Sequence, residues 1–187
     1  MATTTTKTLL SAEEFLELEL GEGYHELVRG EVVEVTPPKR RHSKACGKIG
    51  LRLGSFGETT GFGYVLGETA VVTERLPDTV RGSDVSFYSN ARLPEADEDE
   101  QNVVAPDLVV EVVSPSNTRS AILTKVQEYL NAGVLMIWVV YPRKRTVVIY
   151  RPSDEPPTVL TGADVLENLP ELPGFRCPVA DFFPPRA

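Results

Sequence analysis

Residues 108–113 read Leu-Val-Val-Glu-Val-Val, an apolar run interrupted only by Glu111. A run of this length, rich in β-branched residues, predicts a central strand that is buried on both faces. A carboxylate inside such a strand costs free energy unless it is paired with a cation or binds a metal ion. The alternative is an edge strand on which Glu111 reaches water, and the valines on both sides argue against it.

Periodicity and turn residues predict the remaining elements. Ser11 followed by two glutamates indicates a short helix over 11–18, and residues 24–35 indicate a β-hairpin that turns at Arg29-Gly30. Helices are predicted over 42–56 and 120–132, and strands over 63–73, 83–88, 108–113, 135–141 and 146–150. The fold class is therefore α/β, with a mixed sheet flanked by helices and a strand–helix–strand crossover over 108–141.

The chain of 187 residues fits a single domain over 11–187, preceded by a flexible tail at 1–10. Residues 94–101 are acidic without apolar periodicity and predict a solvated loop. The proline-rich remainder after residue 150 is expected to contain a closing surface segment. No apolar run approaches the length of a membrane span, and the N-terminus lacks the apolar core of a signal peptide, so a cytoplasmic location is the default expectation.

The net charge of −8 argues against a protein that coats nucleic acid through bulk positive charge. It leaves open an enzyme that meets phosphate through a metal ion and a few local basic residues. Cys46 and Cys177 allow a disulfide without requiring one. With two histidines and no CxxC pair, the sequence does not predict a structural zinc site.

Asp84 and Lys125 are further candidates for chemistry. Asp84 opens a β run, where a turn aspartate is the alternative, and Lys125 lies two turns into the helix that follows the Glu111 strand. Helical lysines are mostly solvated, but sites in open α/β sheets form at the carboxyl ends of strands, where such a helix begins. Two acids and a lysine suit phosphodiester hydrolysis with Mg²⁺, which prefers carboxylate oxygens.

The chain contains an ordered series of short motifs. It comprises Tyr-His-Glu-Leu-Val-Arg-Gly-Glu-Val at 24–32, His42, Ser-Asp-Val at 83–85, Pro-Asp-Leu-Val-Val-Glu-Val-Val-Ser-Pro-Ser at 106–116, Lys-Val-Gln-Glu-Tyr at 125–129, Ala-Gly-Val at 132–134 and Trp-Val-Val at 138–140. Over residues 11–180 this series resembles a restriction-endonuclease-like family that is expanded in cyanobacteria and belongs to the PD-(D/E)XK nuclease superfamily. Each motif alone is weak, whereas their order is specific.

The resemblance implies a restriction-endonuclease-like core and an endonuclease that uses Mg²⁺ or Mn²⁺ to cleave DNA. It implies that Asp84 and Glu111 bind the metal, that Lys125 assists the nucleophilic water, and that Glu26 joins them as a fourth catalytic residue. The alternative for Glu26 is an exposed hairpin glutamate.

His42 matches a recurrent histidine of the family, with helix capping as its alternative role. Basic residues cluster around it at 39, 40, 41, 44 and 48, and we expect them to flank the site. We expect His42, Lys44 and Lys48 to contact nucleic acid. Restriction-type folds are often dimeric because two strands must be cut, so a homodimer is expected.

The chain departs from the family pattern at three positions. Ser83 stands where proline is usual, Val113 where the superfamily has its lysine, and Ala121 where an aspartate commonly precedes the helical lysine by four residues. A weakly active or inactive nuclease-fold protein that binds nucleic acid or a protein partner therefore stays open. So does a structural adaptor whose apolar C-terminus forms a dimer face.

Overall fold

The structure is a computed structural model of the chain, and it describes residues 9–93, 104–153 and 155–184. The acidic loop predicted over 94–101 and residues 1–8 of the predicted tail lie outside this part. Leu10 of the tail donates a backbone hydrogen bond to the carbonyl of Gly30 at 2.9 Å.

The described chain contains three α-helices, ten short or long strands and one 3₁₀ helix. The helices are α1 (Ala12–Leu16), α2 (Arg40–Thr60) and α3 (Arg119–Asn131), and the 3₁₀ helix is Val179–Phe182. The strands are β1 (Tyr24–Val28), β2 (Glu31–Val35), β3 (Gly63–Glu74), β4 (Thr79–Ser89), β5 (Leu108–Val112), β6 (Met136–Tyr141), β7 (Thr146–Tyr150), β8 (Thr158–Thr161), β9 (Val165–Leu166) and β10 (Cys177–Pro178).

Eight strands form one mixed sheet, which confirms the predicted α/β class. Its order is β2-β1-β4-β5-β6-β7-β8, with β3 paired to β4, and β9 and β10 form a separate two-stranded sheet. β5 and β6 are parallel and joined by α3, whereas the other pairs in the sheet are antiparallel. The predicted strand–helix–strand unit is therefore present.

The edge of β4 that lies away from β3 is shared by two strands. Val80 pairs with Leu27 of β1, and Val85 pairs with Val110 of β5. Between them, residues 81–83 pair only with β3 among the described strands. The sheet is thus split at one end of β5, and this split positions the candidate site.

β5 is the central strand that the apolar run predicts, since all five of its residues are buried. Leu108, Val110 and Val112 belong to a core beneath α2, and Val109 belongs to a second core beneath α3. The alternation follows from the two-residue period of a strand. Glu111 is two residues after Val109, so its side chain lies on the same face of the strand and faces α3.

The expectation that a surface segment closes the chain is wrong. Leu166, Leu172, Phe175 and Phe182 are at most 3% exposed and complete the core beneath α2, where Phe175 and Phe182 each lie 5.8 Å from the ring of Trp138. These apolar residues are separated by prolines and irregular turns, so they have no helical or strand period that signals burial. Because they are covered by the chain itself, they do not form the apolar dimer face considered above.

α2 is longer than the predicted helix over 42–56. Gly47, Gly50, Gly54 and Gly57 weaken its intrinsic propensity, but Ala45, Ile49 and Leu53 are fully buried against the sheet, and packing decides the outcome. Gly57 allows α2 to approach β3 closely, because a Cβ there would overlap the carbonyl oxygen of Gly63.

Within the described residues, neither α2 nor another helix is long and apolar enough to span a membrane.

Candidate active site

A cavity of about 750 Å³ opens at the split in the sheet, between the β1–β2 hairpin, α2 and α3. All four residues predicted to be catalytic line it, so the structure brings them together from four different elements. The titratable residues of its lining are Glu26, His42, Cys46, Glu68, Asp84, Glu111 and Lys125, along with Tyr24 and His25 of the hairpin.

Glu111 is only 6% exposed, and the alternative of an edge-strand glutamate that reaches water is wrong. Its Oε1 accepts a hydrogen bond from the hydroxyl of Tyr129 at 2.7 Å, and its Oε2 lies 3.5 Å from the Nζ of Lys125. Burial raises the pKa of Glu111 to about 7, although Lys125 opposes the shift. The nearby charge of Asp84 adds to the increase.

Lys125 connects two buried carboxylates. Its Nζ lies 2.7 Å from Oε1 of Glu26, closer than to Glu111. Burial by itself lowers the pKa of Lys125, but the negative charges of Glu111 and Glu26 outweigh it and raise the pKa above the usual value. Lys125 is therefore an ammonium ion, which can donate hydrogen bonds but cannot accept a proton.

Both carboxylate oxygens of Glu26 are engaged. Oε1 accepts from Lys125 and, at 3.3 Å, from the backbone N–H of Gly82, while Oε2 accepts from Arg81 at 2.8 Å. Burial alone raises the pKa of Glu26, but Lys125 and Arg81 together lower it below the usual value. Glu26 is buried, not the exposed hairpin glutamate of the alternative interpretation.

The sequence did not single out Arg81, which organises this side of the site. Its guanidinium binds Glu128 of α3 through two hydrogen bonds of 2.6 and 2.9 Å and Glu26 of β1 through a third. The fork geometry of arginine suits this bidentate pairing. An arginine inside a β run was the available signal, but its partners come from distant segments that periodicity cannot connect.

Asp84 lies within β4, and not in the turn that was its alternative setting. Its Oδ2 accepts from the backbone N–H of Val112 at 2.6 Å, where the β4–β5 ladder ends, and lies 3.1 Å from Nε2 of His42. Burial lowers the pKa of His42, but hydrogen bonding and charge from Asp84 outweigh it and raise the pKa overall. Asp84 is thus held between α2 and β5.

Cys46 and Glu68 also line the cavity and were not predicted. Cys46 lies one helical turn after His42, with its Sγ 3.4 Å from Nδ1 of that ring, and the i,i+4 spacing was a usable signal. Burial raises the pKa of the Cys46 thiol, so the group is neutral as described.

Glu68 has a left-handed backbone, with φ of 51°, and the strand register places it opposite Asp84. A positive φ inside a strand cannot be read from sequence. For a residue other than glycine, it marks a position that the surrounding structure must enforce.

Lys44 and Lys48 do not line the cavity, unlike His42. At about 100° per residue, Lys44 lies roughly 200° around α2 from His42, and Lys48 lies on the flank opposite Ser43. Lys44 and Lys48 therefore lie across the width of α2 from the acidic centre, whereas His42 belongs to that centre. Contact of His42, Lys44 and Lys48 with nucleic acid stays a prediction.

A mixed sheet with acids on adjacent strands and a lysine at the same cleft defines a restriction-endonuclease-like fold. Residues 12–180 match the Uma2 family, described as "putative restriction endonuclease", and the chain belongs to that family.

A crystal structure of a "putative nuclease belonging to DUF820" from Anabaena variabilis superimposes with a TM-score of 0.78, covering 92% of this chain and 97% of the other at 20% sequence identity. At this identity the likeness shows the fold alone. A comparison with curated proteins gives no match.

Proposed function

We propose that this protein is an Mg²⁺- or Mn²⁺-dependent endonuclease that hydrolyses phosphodiester bonds of DNA. One observation carries the proposal: the ammonium of Lys125 lies between buried Glu26 and Glu111 at a cavity that Asp84 also lines. Membership of a restriction-endonuclease-like family supports nuclease chemistry in general. The residue roles and the metal dependence are the specific content of the proposal.

The donor set at the cavity fits a hard divalent cation. Asp84 and Glu111 offer carboxylate oxygens, which Mg²⁺ and Mn²⁺ prefer. Burial raises the pKa of Glu111, which means that its ionised form is poorly stabilised. A bound cation would supply the positive charge that stabilises this form. A cation bound by these two residues would polarise the phosphodiester group and lower the pKa of the attacking water.

The surrounding residues position the reacting groups. Lys125 donates hydrogen bonds, and in this role it orients the attacking water or neutralises charge that develops on the phosphate. Glu26 acts through Lys125 as a positioning residue, because both of its oxygens are already engaged by cations. Tyr129 fixes the Glu111 carboxylate, and Val112 fixes that of Asp84.

Val113, at the usual lysine position, does not exclude activity in this scheme. Lys125 approaches the same carboxylate from α3, so the charge is supplied from a helix instead of from the strand. The superfamily motif is thereby completed by side chains from two elements.

DNA, a homodimer and a cytoplasmic location are further parts of the proposal. The overall charge of −8 disfavours DNA binding except through a local basic surface, for which the predicted residues are His42, Lys44 and Lys48. Lys44→Gln with Lys48→Gln should weaken DNA binding and reduce its salt dependence, without changing metal affinity. Sedimentation analysis of the free protein and of its DNA complex tests the dimer.

Ala121 and the acidic net charge favour a second candidate function, which is binding without cleavage. Family members commonly have an aspartate at the position of Ala121, and if that aspartate positions the helical lysine, Ala121 cannot do so. In this chain the backbone N–H of Ala121 instead donates a hydrogen bond of 3.2 Å to the hydroxyl of Thr118, which caps α3. The protein would then bind nucleic acid or a protein partner without cleaving it. Absence of Mg²⁺ and Mn²⁺ binding in calorimetry, with the fold intact, would favour this function.

The direct test compares cleavage of supercoiled and linear DNA by the wild-type protein and by Glu111→Ala. We expect cleavage that requires Mg²⁺ or Mn²⁺, stops with a chelator and is lost in Glu111→Ala. Glu58→Ala removes an exposed glutamate on α2 and should behave as the wild type. Equal activity of the wild type and Glu111→Ala would reject the proposal.

A further inference from the structure

We propose that His42, Cys46 and Asp84 form a subsite for a thiophilic divalent ion of the Zn²⁺ class. One ligand atom from each side chain lies within 4.8 Å of the other two, and all three residues line the cavity. The subsite contains an imidazole and a thiol, so it differs in kind from the carboxylate pair proposed for Mg²⁺.

The geometry is close to that of a metal-ligand set. The Nε2 of His42 lies 3.1 Å from Asp84, and the Nδ1 lies 3.4 Å from the sulfur of Cys46. Ligands of one tetrahedral zinc ion, with bonds of about 2.0–2.3 Å, are roughly 3.3–3.7 Å apart. The two short contacts use opposite nitrogens of the His42 ring, and one metal ion binds only one of them. The proposed subsite therefore forms by side-chain rotations that bring Cys46, Asp84 and a single nitrogen of His42, whose ligand atoms lie within 4.8 Å of one another, to this spacing.

The backbone holds these donors in place. His42 and Cys46 are one turn apart on α2, which is anchored by the fully buried Ala45 and Ile49 between and after them. Asp84 is anchored by its 2.6 Å hydrogen bond from Val112. The three residues come from two rigid elements, which is what a metal site of defined geometry requires.

The chemistry of the donors selects the ion. Thiolate and imidazole favour Zn²⁺, Co²⁺ and similar ions, whereas Mg²⁺ binds oxygen ligands. When the ion binds, the thiol of Cys46 releases its proton to solvent and His42 binds in its neutral form. Three protein ligands leave a fourth position towards the cavity, as in an open zinc site and unlike a closed structural one.

Asp84 belongs to both metal sets, which gives the subsite a regulatory consequence. This step rests on the proposed nuclease function. An ion of the Zn²⁺ class held by Cys46 and His42 takes Asp84 away from the Mg²⁺ pair, so it inhibits Mg²⁺-dependent cleavage at low concentration. The subsite makes the enzyme sensitive to the ratio of the two ions.

Cobalt spectroscopy tests the subsite without any DNA. The full-length protein, freed of metals and kept reduced with a phosphine, is titrated with Co²⁺. We expect a thiolate-to-cobalt charge-transfer band that saturates at one equivalent and disappears when Zn²⁺ is added. The band should be lost in Cys46→Ser and Cys46→Ala and retained in Cys177→Ala, which removes the other thiol. Absence of the band in the wild type, or its persistence in folded Cys46→Ser, overturns the proposal.

Cleavage assays then separate this proposal from the nuclease function. The Zn²⁺ concentration that halves each protein's own Mg²⁺-dependent rate should rise at least tenfold in Cys46→Ser, and an unchanged value overturns the regulatory step. If no variant cleaves DNA but the cobalt band depends on Cys46, the nuclease function fails and the metal subsite stands. If cleavage occurs and the band is absent, the subsite fails alone.

Discussion

The Nζ of Lys125 lies 2.7 Å from the carboxylate of Glu26, which joins helix α3 to the N-terminal hairpin across the candidate site. Glu26 is itself fixed by Arg81, so the lysine is presented by a chain of charged contacts and not by its own helix alone. Side chains held in this way lose little freedom when a substrate binds, which favours catalysis by preorganised charge.

Glu26→Gln tests whether this pair positions the lysine. The substitution removes the charge but keeps the shape, so we expect kcat for Mg²⁺-dependent DNA cleavage to fall about tenfold to 100-fold while KM changes little. Glu34→Gln, at an exposed position on the same hairpin, is the matched control. A rise in KM with unchanged kcat would indicate instead that Glu26 contributes to DNA binding.

Arg81→Met should be among the most destabilising single substitutions. It leaves Glu26 and Glu128 buried without their shared partner, and breaking a buried ion pair costs about 3–5 kcal/mol. Arg176→Met breaks an exposed pair with Glu167 and should cost less than about 1 kcal/mol. Urea denaturation measures both free energies of unfolding, and similar values for the two variants would contradict the structural importance of Arg81.

Tyr129→Phe removes one hydroxyl and tests how Glu111 is held. The lost 2.7 Å hydrogen bond leaves the carboxylate less stabilised in its ionised form, so the pKa of Glu111 should rise further. We expect Mn²⁺ affinity, measured by calorimetry, to fall about tenfold to 100-fold. Tyr64→Phe, on β3 outside the cavity lining, provides a comparison, and equal Mn²⁺ affinity in all three proteins would contradict the role of Tyr129.

Asp78 predicts a defined pH dependence of stability. It accepts backbone hydrogen bonds from Ala12 at 2.8 Å and Leu76 at 3.0 Å and pairs with Arg75 at 2.9 Å. Led by the bond from Ala12, these contacts lower the pKa of Asp78 in spite of burial.

A lowered folded-state pKa means that this stabilisation is complete above the unfolded-state pKa, near 3.8, and is lost as the pH falls through the folded-state pKa. The difference in unfolding free energy between the wild type and Asp78→Asn, about 1–3 kcal/mol at neutral pH, should therefore shrink below about pH 4. A difference that stays constant down to low pH would argue against the contribution of Asp78.

The buried acid Glu111 could be predicted because a local pattern marks it. The valines around Glu111 require a buried strand, and the helix that follows has Lys125 and Tyr129 one turn apart, so both reach the same strand. The burial of Glu111 and the spacing of Lys125 and Tyr129 depend only on the two-residue and 3.6-residue periods of secondary structure. The site roles of Glu26, Asp84 and Lys125 were instead expected from the ordered motifs that carry the family resemblance.

The missed features depend on long-range packing. Arg81 acquires its role only when β1 and α3 meet at β4, and the burial of Phe175 and Phe182 depends on how an irregular chain folds back over α2. The left-handed conformation of Glu68 is likewise set by its neighbours and has no signature in a glutamate. Such contacts require the tertiary structure, because no local period connects the residues that make them.

The rate of Mg²⁺-dependent DNA cleavage by Lys125→Met tests the central claim most directly, namely that a lysine from α3 completes the site. Lys144→Met, at an exposed position, is the control. With folding verified by circular dichroism, we predict a loss of about 100-fold or more for Lys125→Met and none for the control. Undiminished cleavage by folded Lys125→Met would contradict the account.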